Sequence, residues 1–242
     1  MRLRFLVLIG LVVGLGLGLS LAVLFSGGGA SSSSAEVSAT TVPVGQQFSP
    51  ELQDSRREAF LEDWVRFRSV EALVETELTR VTADEQELVV TERLAQRPGD
   101  RLVRSLSGVA GYLGGVEVLC STRTSVDEDD ELECRDLVGA PSIDDALETE
   151  VGNISALLEG DPPAYRIFET AEGCWELLLT TETFDAPFGE QAVYCFDAVT
   201  GTLESSETTF NNGLTESTNQ LNVRLEVTDD DLLALLNQPP RG

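Results

Sequence analysis

The residues able to carry chemistry in this chain are few in kind. It has no histidine, and every basic residue is an arginine, so lysine is missing too. The usual bases that activate a serine or cysteine nucleophile are therefore absent. Ser–His–Asp, Ser–Lys and Cys–His arrangements are excluded, as are histidine metal sites and Schiff-base lysines. Neither a G-x-x-x-x-G-K-[ST] stretch nor a G-x-G-x-x-G stretch occurs. Carboxylates abound, and a glycosidase-like pair is chemically open to them. Such a pair needs aromatic residues to hold a sugar, and aromatics make up only 6% of the chain. The reading is therefore a non-catalytic protein without a cofactor. Two acidic runs, Asp127–Glu131 and Asp229–Asp231, offer oxygen ligands for Ca²⁺. Neither has a glycine at the turning position of an EF-hand loop, so both read as solvated acid and no metal is expected.

Four cysteines, Cys120, Cys134, Cys174 and Cys195, form an even set of the kind that makes disulfides in an exported domain. Four thiols allow three pairings. Cys120–Cys134 and Cys174–Cys195 are preferred because each pair brackets one hairpin. If Cys174 faces Cys195, Trp175 faces Tyr194 and Leu177 faces Ala192, which keeps one face apolar. The first pair centres its turn on the acidic run. Zinc is the lesser alternative, since no C-x-x-C spacing occurs.

Compartment follows from the N-terminus. Phe5 to Phe25 is a run of 21 residues without a charge. A helix of that length spans about 30 Å, the thickness of the hydrocarbon layer. Arg2 and Arg4 precede it and no further basic residue comes before Arg56, which places residues 1–4 in the cytoplasm and the remainder outside. The chain reads as a single-pass cell-membrane protein anchored through 5–25. A signal peptide cleaved near Ala30 is the alternative. Residues 26–47, rich in Gly, Ser, Ala and Thr, form a flexible tether. Beyond the anchor 14 arginines face 42 acids, a formal charge of −28. Such a surface repels phosphate backbones, so nucleic acid is not a partner.

The elements that must position any site lie in 48–238, an α+β domain. Ser49-Pro50 starts a helix over 50–68, with Ser as N-cap and Pro at the first helical position. Phe60, Trp64 and Phe67 form a stripe along it. Strands follow at 70–81, 88–97, 101–113, 116–121 and 132–137. Ser142 caps a second helix with Asp145 three residues on, and Leu147, Val151, Ile154 and Leu158 share one face. Strands return at 165–170, 174–182, 191–198, 202–210 and 214–227, and 229–236 reads as a short terminal helix. Every connection between neighbouring strands is a hairpin signal, so the sheet is expected to be antiparallel, a curved half-barrel-like meander covered by two helices. The seven residues named on the two helices are the candidate lining of an apolar ligand cavity. They serve equally as a closed core, in which case the domain is an interaction or sensory module for another exported protein.

Residues 92–120, ERLAQRPGDRLVRSLSGVAGYLGGVEVLC, resemble the extracytoplasmic lipoprotein-carrier fold of LolA-type carriers and mycobacterial glycolipid-binding lipoproteins. Arg97, Pro98 and Arg101 match that family's Arg-Pro-x-x-Arg-like turn, and Gly114-Gly115 its glycine turn. The resemblance implies an N-terminal helix, a meander and a lipid or other apolar ligand. The chain departs from those lipoproteins in lacking an acylated cysteine. Phe196–Leu203, FDAVTGTL, also resembles a hairpin of the PepSY type of extracytoplasmic domain.

A reporter enzyme fused to the C-terminus should be active only outside the cytoplasm. N-terminal sequencing of the mature protein should find the anchor retained; a start near residue 31 would show that it is cleaved.

Overall fold

The computed structural model describes residues 49–123, 131–137, 139–180 and 186–237. The expected anchor and tether lie outside these, as does most of the acidic run Asp127–Glu131. No helix among the described residues is long and apolar enough to cross a membrane. All described elements fall within one compact unit, Thr41–Gly242, so a chain starting at Thr41 keeps every described contact.

Helix α1 (Pro50–Ser69) starts as its sequence demands. The Ser49 hydroxyl accepts a hydrogen bond from the Leu52 amide at 3.2 Å, and Pro50 occupies the first turn. Strands β1 (Ala72–Val81), β2 (Glu87–Arg97), β3 (Asp100–Ser105), β4 (Gly108–Leu113), β5 (Val116–Arg123) and β6 (Glu131–Asp136) follow. Helix α2 (Ile143–Leu158) begins with the Ser142 hydroxyl accepting from the Asp145 amide at 3.1 Å. Strands β7 (Tyr165–Glu169), β8 (Trp175–Leu179), β9 (Gln191–Phe196), β10 (Leu203–Thr209) and β11 (Thr215–Arg224) lead to α3 (Asp229–Asn237).

The strands form one open, curved antiparallel sheet in the order β6-β5-β4-β3-β2-β1-β11-β10-β9-β8-β7. One meander runs outward from β1 to β6. The chain crosses through α2 to the far edge, and a second meander runs back until β11 lies beside β1. Both expected disulfides are present, Cys120–Cys134 across β5 and β6 and Cys174–Cys195 beside the β8–β9 pair. Trp175 faces Tyr194 and Leu177 faces Ala192 in the expected register.

Side chains alternate along a strand, so the register divides the sheet into two faces. On the front, Tyr165, Ile167, Trp175, Leu177 and Ala192 pack under α1 and α2 at the β7–β9 end. On the back, Ala95, Leu102, Val109, Val118 and Cys120 pack under α3 at the other end, against Val227, Leu232 and Leu235. Two helices covering the sheet and a short terminal helix at 229–236 were expected. All three form, and the terminal one lies on the opposite face, where Leu232 and Leu235 pack with Leu102, Val109 and Val118. The expected strand 101–113 is likewise two strands joined by a turn at Leu106-Ser107. Gly108 makes this possible: its φ is +139°, and a Cβ there would stand 1.9 Å from the Cys120 carbonyl oxygen.

The Arg97–Arg101 turn matched to the carrier family is a structural clasp. Arg97 Nε donates to Asp100 Oδ2 at 2.8 Å, and Arg97 Nη2 donates to Asp229 Oδ1 at 2.6 Å, at the start of α3. The other Asp100 oxygen accepts from the Gly114 amide at 2.6 Å. Two hairpin turns and a helix end thus converge on one carboxylate–guanidinium pair. The Phe196–Leu203 hairpin is fixed in a similar way: Arg66 of α1 donates to the carbonyls of Ala198 and Val199, and Gly201 leaves room for its side chain.

The edges differ. β6 carries Glu133 and Asp136, charges that discourage strand addition. On β7 the Gln53 side chain takes up both outward backbone groups of Ile167, donating to its oxygen and accepting from its amide at 3.2 Å each.

Asp100→Ala should remove the acceptor shared by Arg97 and the Gly114 amide, and so loosen the clasp. A lower urea midpoint at unchanged slope is expected.

Candidate ligand-binding face

The seven helix residues singled out from sequence do not all share one environment. Phe60, Trp64, Ile154 and Leu158 are buried together against β7, β8 and β9, and Val151 packs beside them. Phe67 is buried at the end of the stripe, with its ring 5.9 Å from that of Phe196 and 6.0 Å from that of Trp64. Leu147 is half-buried. The aromatic rings contact each other edge-on or tilted, with Trp64 5.4 Å from Tyr194 and Phe60 6.2 Å from Trp175.

Polar tips of this cluster are paired. Trp64 Nε1 donates to Glu150 Oε1 at 2.9 Å, and Trp175 Nε1 donates to Asp63 Oδ2 at 2.8 Å. Arg68 grips the other Glu150 oxygen through Nη2 at 2.7 Å and Nε at 3.1 Å. Burial pulls the Arg68 guanidinium down and pushes the Glu150 carboxyl up, while their mutual attraction opposes both shifts. The pair locks α1 to α2. Tyr165 donates to the Gly189 carbonyl at 2.9 Å, and burial raises its hydroxyl to about 12.

The front face away from these helices has a different character. Cross-strand partners place Val223, Val74, Leu94, Val103, Ala110 and Leu119 in one row running from β11 to β5, with Arg135 beyond on β6. At strand spacings of about 4.8 Å the row is roughly 24 Å long. Val74 and Leu94 are buried, whereas Val223, Val103, Ala110 and Leu119 are only half-buried. Residues of α3 cover the opposite face of β2 to β5, not this one.

A second row lies beside the first: Ala72, Gln96, Arg101, Tyr112 and Glu117. Gln96 Nε2 donates to the carbonyls of Phe67 and Val70 at the end of α1, at 2.7 and 2.6 Å. Its Oε1 accepts from Arg101 Nε at 3.2 Å. On the other side of the apolar row stands Glu92, 7% exposed, facing Thr76. Burial raises its carboxyl above the usual range; Arg80 opposes that shift and Glu216 reinforces it. Arg80 Nε lies 2.8 Å from Glu216 Oε1, an ion pair whose angle falls short of a hydrogen bond.

Sequence reasoning missed the row. Alternation along 101–113 and 116–121 carried the signal, but the Leu106-Ser107 turn reverses direction within the first segment, so no continuous face could be drawn. The acids at Asp229–Asp231 are engaged within the fold: Asp229 with Arg97, Asp231 with Arg224 and with Thr228, which holds it down at about 2.

No protein-family model and no curated protein matches the chain. Solved structures of similar outline include a domain from Vibrio parahaemolyticus described as outer membrane lipoprotein-sorting, 13% identical, covering 74% of this chain and 96% of its own, at a TM-score of 0.29. A LolA superfamily protein from Nitrosomonas europaea is 9% identical, with 74% and 96% covered and a TM-score of 0.31. A DUF1329 family protein from Desulfovibrio piger is 10% identical, with 76% and 96% covered and a TM-score of 0.31.

The raised Glu92 carboxyl sets a sign for pH dependence. The folded state binds its proton more tightly than the unfolded state, so its contribution to stability is greatest below the ordinary value of 4.5 and declines as pH rises through the raised value. Glu92→Gln should therefore be more stable than the parent at neutral pH, with the difference vanishing in acid, as measured by urea midpoints across that range.

Proposed function

We propose that this is a non-catalytic binding domain, tethered to the outer side of the membrane, that holds the apolar part of a small ligand against the front of β2 to β5. The observation that carries the reading is the row Val103-Ala110-Leu119. It continues a buried apolar line outward into part-exposed positions on a face that α3 leaves open. A chain with 42 acids has polar residues to spare for such positions, and a contiguous apolar strip among them marks a contact surface. Each methylene removed from water adds about 0.8 kcal/mol, so even a short chain laid along the row binds measurably. The disulfides and the N-terminal apolar run support the extracytoplasmic setting. In this reading Phe60, Trp64, Phe67, Leu147, Val151, Ile154 and Leu158 hold the two helices in place, and the contact surface shifts to the sheet.

Residues 41–242 should enhance the fluorescence of the methyl ester of parinaric acid saturably, the ester being an uncharged polyene probe. Val103→Asp puts a charge into the row at a half-buried position and should weaken that binding at least tenfold, about 1.4 kcal/mol. A folded wild-type domain indifferent to the ester would overturn the front-face reading.

A further inference from the structure

Several described arginines meet acids. Arg68, Arg80, Arg93, Arg97 and Arg224 each lie against a carboxylate. Among the described residues no carboxylate is paired with Arg101, which is only 7% exposed. Its one described hydrogen bond is to the neutral amide oxygen of Gln96, and its Nη2 is buried without a partner. Gln96 has nothing more to offer, because its amide nitrogen is taken by the carbonyls at the end of α1. Those two bonds fix the amide, and the amide in turn fixes the guanidinium.

Arg104 has an unpartnered Nη2 as well, but its situation differs. It points to the back face, and its Nη1 donates to the Leu235 carbonyl in the last turns of α3, a position where a cation is favourable. Arg104 therefore has a structural task. Arg101 is on the front, in the row directly beside Leu94, Val103 and Ala110. Tyr112 is its cross-strand neighbour, and Arg68 lies near enough to Tyr112 to act on its hydroxyl. The nearest acid along the row, Glu117, is two strands off, about 10 Å.

A buried guanidinium with an unmet donor is unfavourable, and its planar fork is suited to the paired oxygens of a carboxylate or phosphate. In a chain so rich in acid, the unmet donor of Arg101 suits a negative group supplied from outside. We infer that Arg101 receives the anionic head group, carboxylate or phosphate, of an amphiphile whose apolar part lies along the adjoining row. The inference rests on the front-face reading and adds the charge of the ligand to it. Arg101 gives the ligand a direction: head toward the C-terminal end of α1, tail across β3 to β5.

The test uses residues 41–242, with parinarate and its methyl ester as probes at submicellar concentration. Parinarate should bind at least tenfold more tightly than the ester. Arg101→Gln should reduce the acid to the affinity of the ester and leave the ester unchanged, while Arg101→Lys should keep a preference for the acid. Circular dichroism shows whether each variant is folded; if Arg101→Gln is not, the wild-type ratio and the lysine variant decide. Equal affinity of acid and ester for the wild type would overturn the inference, since water then satisfies Arg101, yet leave the front-face reading standing. An acid preference that survives in folded Arg101→Gln would overturn it too. Binding of neither probe would overturn both. Inorganic phosphate should compete poorly; competition as strong as that of dodecyl phosphate would assign the site to a free anion and overturn the amphiphile.

Discussion

Everything in this fold depends on the pairing of β1 with β11. The ladder runs from Leu73 opposite Arg224 to Val81 opposite Thr215, and it joins strands at the two ends of the domain sequence. The second meander packs its main apolar cluster under α1 and α2 on the front, and the first packs one under α3 on the back. The ladder makes them a single sheet and so sets the front of one half beside the front of the other. Little at that seam is apolar. Leu78 faces Thr218, Thr76 faces Gln220 and Arg80 faces Glu216. A polar seam specifies register weakly through packing, so the specific pairs must do it. The Arg80–Glu216 ion pair across β1 and β11 serves that end. A bulge between Glu75 and Thr76 absorbs the mismatch between the two meanders.

The cores lie at opposite ends and on opposite faces. On the front of β3 to β5, opposite α3, Val103, Ala110 and Leu119 stay half-buried. Binding capacity there is a by-product of how α3 docks: had it lain on the front, the row would be core. The closed aromatic cluster under α1 and α2 supplies rigidity instead. Its two indole N–H groups and the Arg68–Glu150 pair are satisfied internally, which keeps the helix pair in one position beside the row.

The elements themselves were legible in the sequence. Ser49-Pro50 and Ser142 marked helix starts because caps are local chemistry. The cysteines gave the β5–β6 and β8–β9 registers because a hairpin is a local constraint as well. What sequence could not supply was long-range. Nothing in the Ser- and Thr-rich strands β10 and β11 names β1 as their neighbour, and no pattern says which face α3 will choose. The misreading of 101–113 as one strand has a specific cause. Ser107-Gly108 is a turn signal that the alternation on either side masks, so Gly108 reads as a weak point in a strand rather than as the place where two backbones nearly touch. Arg101 stood within a recognised motif, but its burial and its missing partner belong to the fold.

The amide of Gln53 has a consequence beyond the stability of one domain. Its contacts with Ile167 occupy outward-facing hydrogen-bonding positions on the edge of β7, a strand whose other side is already paired. Were α1 to detach at its N-terminal end, those groups would be free to recruit a strand from a neighbouring molecule, and an eleven-stranded sheet would become a template for fibres. A single side-chain amide near the start of the domain thus caps part of an open sheet edge, and the high negative charge of the chain works in the same direction.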